Sequence, residues 1–216
     1  MCFSAPVSFA AAGLLGAIGA VSVRGAPSRR HVALAAIPLL FAAQQACEGA
    51  VWLALDRAPF HVASPPLARA FLFFALFVWP PYVPAALALV ERERTRRVVL
   101  WALAGVGAAL GVYLMACASL RASNACIAYG NLYYWVQVDA ALKPLMLFGY
   151  LGVIVGALVV SSARATSVIA VVVAVSFALA GVLYRSGFAS VWCFFAALLS
   201  GCIVLGGLSA KRSAVA

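Results

Sequence analysis

Seven long apolar runs, separated by short charged or turn-forming breaks, organise the chain. They cover Ala5–Val23, His31–Leu55, Leu67–Val90, Val98–Ala118, about Ala140–Ser162, Ser167–Leu183 and Phe188–Ala210. A helix needs about 20 apolar residues to cross the hydrocarbon core of a bilayer, and each run is close to that length. The pattern predicts an all-α polytopic membrane protein, seven transmembrane helices in a single domain over residues 1–216. The stretch Ser119–Val138 differs. It is polar and aromatic, with Tyr129, Tyr133, Tyr134 and Trp135, and reads as an extracytoplasmic short helix or hairpin on the membrane surface. Within the third run, Pro80, Pro81 and Pro84 follow Trp79 and flank Tyr82. Each proline removes a backbone donor and frees a carbonyl. Such a break is either a fixed kink or the opening of an ion or substrate site. No repeat relates the first three runs to the last three.

Composition strengthens the membrane reading. Hydrophobic residues make up 67% of the chain and charged residues 9%, with a mean hydropathy of +1.10. A soluble domain carries about 25% charged residues. The lipid bilayer is therefore the expected partner and solvent. In a soluble protein the net charge of +10 would suggest nucleic acid. Here the basic residues sit at the ends of apolar runs, so no nucleic-acid partner is expected. Placing the N-terminus outside puts Arg24, Arg29, Arg30, Arg92, Arg94, Arg96, Arg97, Arg164, Lys211 and Arg212 on the cytoplasmic side. Arg57, Arg69, Arg121, Lys143 and Arg185 fall outside, ten against five. The positive-inside rule thus predicts an N-out, C-in chain. The first run has no basic residue before it and three arginines soon after, so it reads as a retained anchor rather than a cleaved signal. Arginine outnumbers lysine 13 to 2, which points to a GC-rich bacterial genome and a multi-pass protein of the cell inner membrane.

Glu48 is the residue least suited to its surroundings. It lies inside the second run, in Gln44-Gln45-Ala46-Cys47-Glu48-Gly49-Ala50-Val51-Trp52. A carboxylate in hydrocarbon costs several kcal/mol unless it is protonated, paired or facing a wet cavity. Gln44, Gln45, Glu48 and Trp52 fall at helical spacings of three and four, largely on one side. Counted from Leu55 at 1.5 Å per residue, Glu48 lies roughly 10 Å deep. It is either a binding or proton-carrying acid, or a neutral glutamate that hydrogen-bonds between helices. Asp139 and Lys143 stand four apart at the start of the fifth run. They form an interfacial ion pair, or Lys143 reaches Glu48 or an anionic ligand. Tyr113, Trp192 and Cys193 lie at similar depth and complete the ligand-binding set expected from depth alone.

The cysteines show no C-x-x-C and no zinc-like Cys/His spacing. Cys117 and Cys126 both fall near the outer surface, where a disulfide is permitted. Cys2 would neighbour a free amine after methionine removal, a set suited to a soft metal or to thiol chemistry; alternatively it is a small residue at a buried end. Cys47, Cys193 and Cys202 read as small hydrophobes. The seventh run has no lysine, which excludes a retinal Schiff base of the usual kind. His31 and His61 both lie near run ends, which argues against haem or a histidine-rich membrane hydrolase. The sequence names no cofactor.

The opening Met1-Cys2-Phe3-Ser4-Ala5, the string Gln44-Gln45…Glu48-Gly49…Trp52, Trp79-Pro80 and Trp192-Cys193-Phe194 carry a resemblance. The chain resembles an uncharacterised family of bacterial multi-pass membrane proteins, a domain of unknown function, whose members begin Met-Cys-Phe-Ser-Ala. Pro6 and Val7 depart from its small or polar pattern. The resemblance implies no activity and no catalytic residue. The leading expectation is binding or transport of a small solute in the outer half of the bundle. Glu48 would be its charge or proton carrier, Gln44 and Gln45 orienting groups, and Trp52 and Trp192 walls. The alternatives are a periplasm-facing thiol or metal site at Cys2, and an accessory or sensory subunit of a membrane complex.

Overall fold

A computed structural model describes residues 4–57, 62–63, 65–120, 124–128, 131–183, 192–193, 196–197 and 200. The first apolar run forms α1 (Ala5–Arg24) and ends at Gly25. A single 3₁₀ turn, Arg29–His31, leads into α2 (Val32–Ala35) and α3 (Ile37–Arg57). After the short strand β1 (Val62–Ala63), the third run begins as α4 (Pro65–Leu72). It passes through a π-helical segment, Phe73–Val78, and continues as α5 (Trp79–Val90). Then come α6 (Arg94–Leu120), the hairpin β2 (Asn124–Ala128) and β3 (Asn131–Trp135), α7 (Lys143–Val160) and α8 (Arg164–Leu183). Residues 192, 193, 196, 197 and 200 are helical; the rest of the seventh run lies outside the described residues.

Six of these segments are long and apolar enough to cross a membrane: Ala5–Arg24, Arg29–Asp56, Pro66–Val90, Arg94–Leu120, Lys143–Val160 and Ala165–Val182. Their outward faces carry large apolar side chains, among them Trp101, Phe148, Val168, Val171 and Leu179. That is what a bilayer demands and water would penalise. The chain is consistent with a polytopic helical membrane protein. One departure from an all-α chain stands among the described residues, a three-stranded antiparallel sheet in the order β1-β2-β3. The aromatic stretch after α6 therefore contains a hairpin, with Ala128 opposite Asn131 at its tip. The fifth helix begins later than the apolar run, because Pro144 suits only its first turn. Asp139 precedes it in a turn: its carbonyl accepts from Lys143 N at 2.9 Å and its Oδ1 from Ala141 N at 3.1 Å.

The two ends of the bundle differ. The sheet gathers at one end. The turns at 25–31, 91–93 and 161–163 gather at the other, carrying Arg24, Arg29, Arg30, Arg92, Arg94, Arg96 and Arg97. Glu91 ties two of these turns together. Its carboxylate accepts from Arg92 N, Glu93 N, Ser162 N at 2.8 Å and Ser162 Oγ at 2.9 Å. Burial alone would raise its pKa; the donors outweigh burial and hold it below the usual carboxylate value. Arg96 adds a second tie, donating to the Val160 carbonyl at 2.9 Å.

The three prolines shape the middle of the bundle. In the π-helical segment Trp79 N bonds back to Phe74 O, five residues earlier. Continuing that pattern, Ala75 O would accept from residue 80, a proline without an N–H. The Tyr150 hydroxyl on α7 supplies the missing donor at 2.8 Å. Pro80 O likewise loses its α-helical donor to Pro84. Here α6 comes close. A Cβ on Gly107 would lie 2.5 Å from the Pro80 carbonyl carbon, and one on Gly111 3.1 Å from Leu76 O. Gly107 and Gly111 sit on the buried stripe of α6 with Leu100, Ala104, Leu114 and Ala118. This is the small-xxx-small spacing that lets membrane helices meet backbone to backbone. The proline break is closed by protein along this face.

Candidate functional site

The most polar part of the buried interior is on α3. Gln44, Gln45 and Glu48 are each 0% exposed and Trp52 is 6% exposed. Helical spacing brings them to one side, as expected, and α1 seals that region. In the antiparallel α1–α3 pair, a Cβ on Gly49 would meet the Phe9 ring at 2.8 Å, and one on Gly19 would meet Leu39 N at 2.8 Å. Glycine at these positions allows the close approach that shuts lipid out of the polar stripe.

Hydrogen bonds link the stripe into a short network. Trp79 Nε1 donates to Gln44 Oε1 at 2.7 Å, while the Trp79 ring stacks on Phe41 with centroids 4.0 Å apart. Gln45 Nε2 donates to Glu48 Oε2 at 3.0 Å. The network is incomplete. Gln44 Nε2, Gln45 Oε1 and Trp52 Nε1 are buried with no hydrogen-bond partner among the described residues. An unmade bond to a buried polar atom costs about 1–3 kcal/mol. Two spare donors and an acceptor on the same helix as a buried acid could hydrogen-bond a small polar guest, and one group there could carry a proton.

Most of the other expected residues lie elsewhere. The helix α3 packs against α1 and α4, whereas α7 packs against α5, α6 and α8. Lys143 and Asp139 are exposed at the start of α7, and no ion pair joins them because the Asp139 carboxylate faces the turn amide instead. Tyr113 is partly buried against the main apolar core. Trp192 is buried between Tyr150 (5.7 Å between centroids) and Phe177 (5.2 Å), and its Nε1 donates to Ser176 Oγ at 3.2 Å. Cys193 packs with Phe71, Leu72, Ala75 and Ala118. Cys47 of α3 packs against that same cluster, so Cys193 borders α3, whereas helix pairing separates Lys143 from it.

The cysteine expectations fare differently from one another. Cys117 is buried on α6, Cys126 lies in the middle strand of the sheet, and both are free thiols, so no disulfide joins them. Cys2 lies outside the described residues. Among the described residues no group of three His, Cys, Asp or Glu side chains is placed to hold a metal.

Two cavities meet at the Tyr150–Trp192 pair, which lines both. One, of about 350 Å³, lies toward the arginine-rich end and is almost wholly apolar, with Leu34, Ile37, Leu158, Ile169 and Trp79 in its wall. The other, of about 570 Å³, lies toward the sheet between β3 and α7. Trp79 thereby stands between the apolar cavity and the Gln44–Glu48 network. Sequence reasoning missed Tyr150, Gly107 and Gly111. The signal for the glycines was their own four-residue spacing; for Tyr150 it was the need of three prolines for an outside donor.

A family model described as "Family of unknown function (DUF6629)" matches residues 1–216. The chain belongs to this family. No curated protein and no solved structure matches this DUF6629 chain. Membership carries no activity with it, so the function must be argued from the residues.

Proposed function

We propose that this DUF6629 protein binds a small polar solute at the α3 network and moves it across the cytoplasmic membrane together with a proton carried on Glu48. The observation supporting this reading is the fully buried acid on the same helix as three buried polar atoms without partners among the described residues. An apolar packing site would leave none of them, since each weakens the fold. The Gln45 amide suits both states of the acid. Ionised, Glu48 accepts from Gln45 Nε2; protonated, it donates to Gln45 Oε1 once the amide turns over. Gln44, held by Trp79, and Trp52 then orient the guest with the donors they have spare. The arginine-rich end faces the cytoplasm and the sheet faces outward, following the positive-inside rule.

The test is native mass spectrometry of the detergent-purified protein beside Glu48→Gln, followed by proton flux into proteoliposomes loaded with a pH dye. Wild type should carry a small-molecule adduct that the variant lacks, and the variant should lose pH-dependent flux while remaining monodisperse. An adduct and flux equal in both proteins would refute the assignment.

A further inference from the structure

The larger cavity has a chemistry of its own. Its 570 Å³ falls in the range of about 300–1,000 Å³ that holds a drug-sized ligand. Six aromatic residues stand in its wall: Tyr133, Tyr134, Trp135, Tyr150, Phe177 and Trp192. Some already meet edge to face, Tyr133 with Trp135 at 82° and Tyr150 with Trp192 at 69°. That geometry leaves ring faces for a flat guest. Among the described lining residues Lys143 is the one charged side chain. Its ammonium has no carboxylate or hydrogen-bond partner among the described residues, because Asp139, four positions earlier, is bonded to the Ala141 amide. A lone cation beside aromatic walls selects an anion of single charge with an aromatic body. Trp135, Gln137 and Lys143 are exposed where β3 leads into the start of α7, so this end of the cavity lies at the end of the span rather than at its middle. The smaller cavity has no charged group among its described lining residues and offers no such anchor.

We infer that the cavity between β3 and α7 binds a water-soluble aromatic carboxylate, with its acid group on Lys143 Nζ and its ring among Tyr133, Trp135, Tyr150 and Trp192. The inference does not rest on the reading of Glu48, since none of the cavity's described lining residues comes from α3.

The experiment is isothermal titration of 2-naphthoate into the full chain in phosphatidylcholine nanodiscs. Saturable binding is expected, weakening as salt rises, because an exposed ammonium is screened. Lys143→Met should weaken it at least tenfold, Lys143→Arg should retain it, and neutral 2-naphthamide should bind wild type at least tenfold less tightly than the acid does. Lys143 is exposed, so both variants should elute and melt as wild type does. Absence of 2-naphthoate binding, equal affinity for acid and amide, or an unchanged Lys143→Met would overturn the inference. So would binding of oleate that 2-naphthoate does not displace, which would make the cavity a lipid site.

Discussion

Replacing Gly107 with alanine adds one methyl group where two backbones touch. Its carbon would lie 2.5 Å from the Pro80 carbonyl carbon and 2.9 Å from Pro81 N, and closer still to the Pro80 oxygen. Ordinary carbon–oxygen contacts are about 3.3 Å or longer, so α6 and α5 must part by about 1 Å. Neither side has a flexible side chain that can yield. Overpacking typically costs about 1–3 kcal/mol, and backbone on both sides places this case at the upper end. Alanine returns about 1 kcal/mol of helix propensity, leaving a net loss of about 2 kcal/mol. For a chain of this size that lowers Tm by about 4–8 °C. Gly105→Ala is the internal control. It lies on the same helix, meets nothing within 4 Å, and should melt at or above wild type. Gly111→Ala, with its contacts to Leu76 O and Phe77 at 3.1 Å, should fall between the two. The assay is thermal unfolding in detergent followed by tryptophan fluorescence. If Gly107→Ala and Gly105→Ala melt within about 2 °C of each other, the close approach of α6 to the proline break is wrong.

Tyr150→Phe keeps the ring but strips the donor from Ala75 O, and should cost about 1–3 kcal/mol, read as a lower Tm. Trp79→Phe keeps the stack on Phe41 yet leaves both polar atoms of Gln44 unbonded; a loss of similar size, about 1–3 kcal/mol, is expected in the same assay. Glu91 gives a pH signature. Its folded pKa lies below the usual value of 4.5, so the stabilisation from its hydrogen bonds is complete above pH 4.5 and is lost as pH falls through the lowered folded value. Glu91→Gln should therefore melt lower at neutral pH and flatten the acid limb of a Tm-against-pH curve; a variant whose acid limb matches wild type would exclude the clasp.

The apolar runs made the helices legible because a bilayer leaves the backbone few choices: a segment that must bury its amides without water forms a helix. Ala5–Arg24 and Arg94–Leu120 follow directly, and the basic residues mark where the spans turn. The polar stripe of α3 was legible for the same reason, since a fixed helical period places Gln44, Gln45, Glu48 and Trp52 together whatever surrounds them. What depends on a second helix was not. Nothing in the order of residues says that α3 packs against α1 rather than α7, so Glu48 and Lys143 seemed to share a site when only depth related them. The proline break was visible, but its partners were not, because a proline announces a missing donor without naming the replacement. Tyr150 and the Gly107–Gly111 pair answer that need from two different helices. The same reasoning now applies to the α3 network. At the prolines, the freed Ala75 carbonyl is bonded by Tyr150 and α6 packs against that of Pro80. Around Glu48, three polar atoms are still without a partner among the described residues. A chain that closes one costly break yet leaves the other open gives the proposal of a guest at the α3 network its ground.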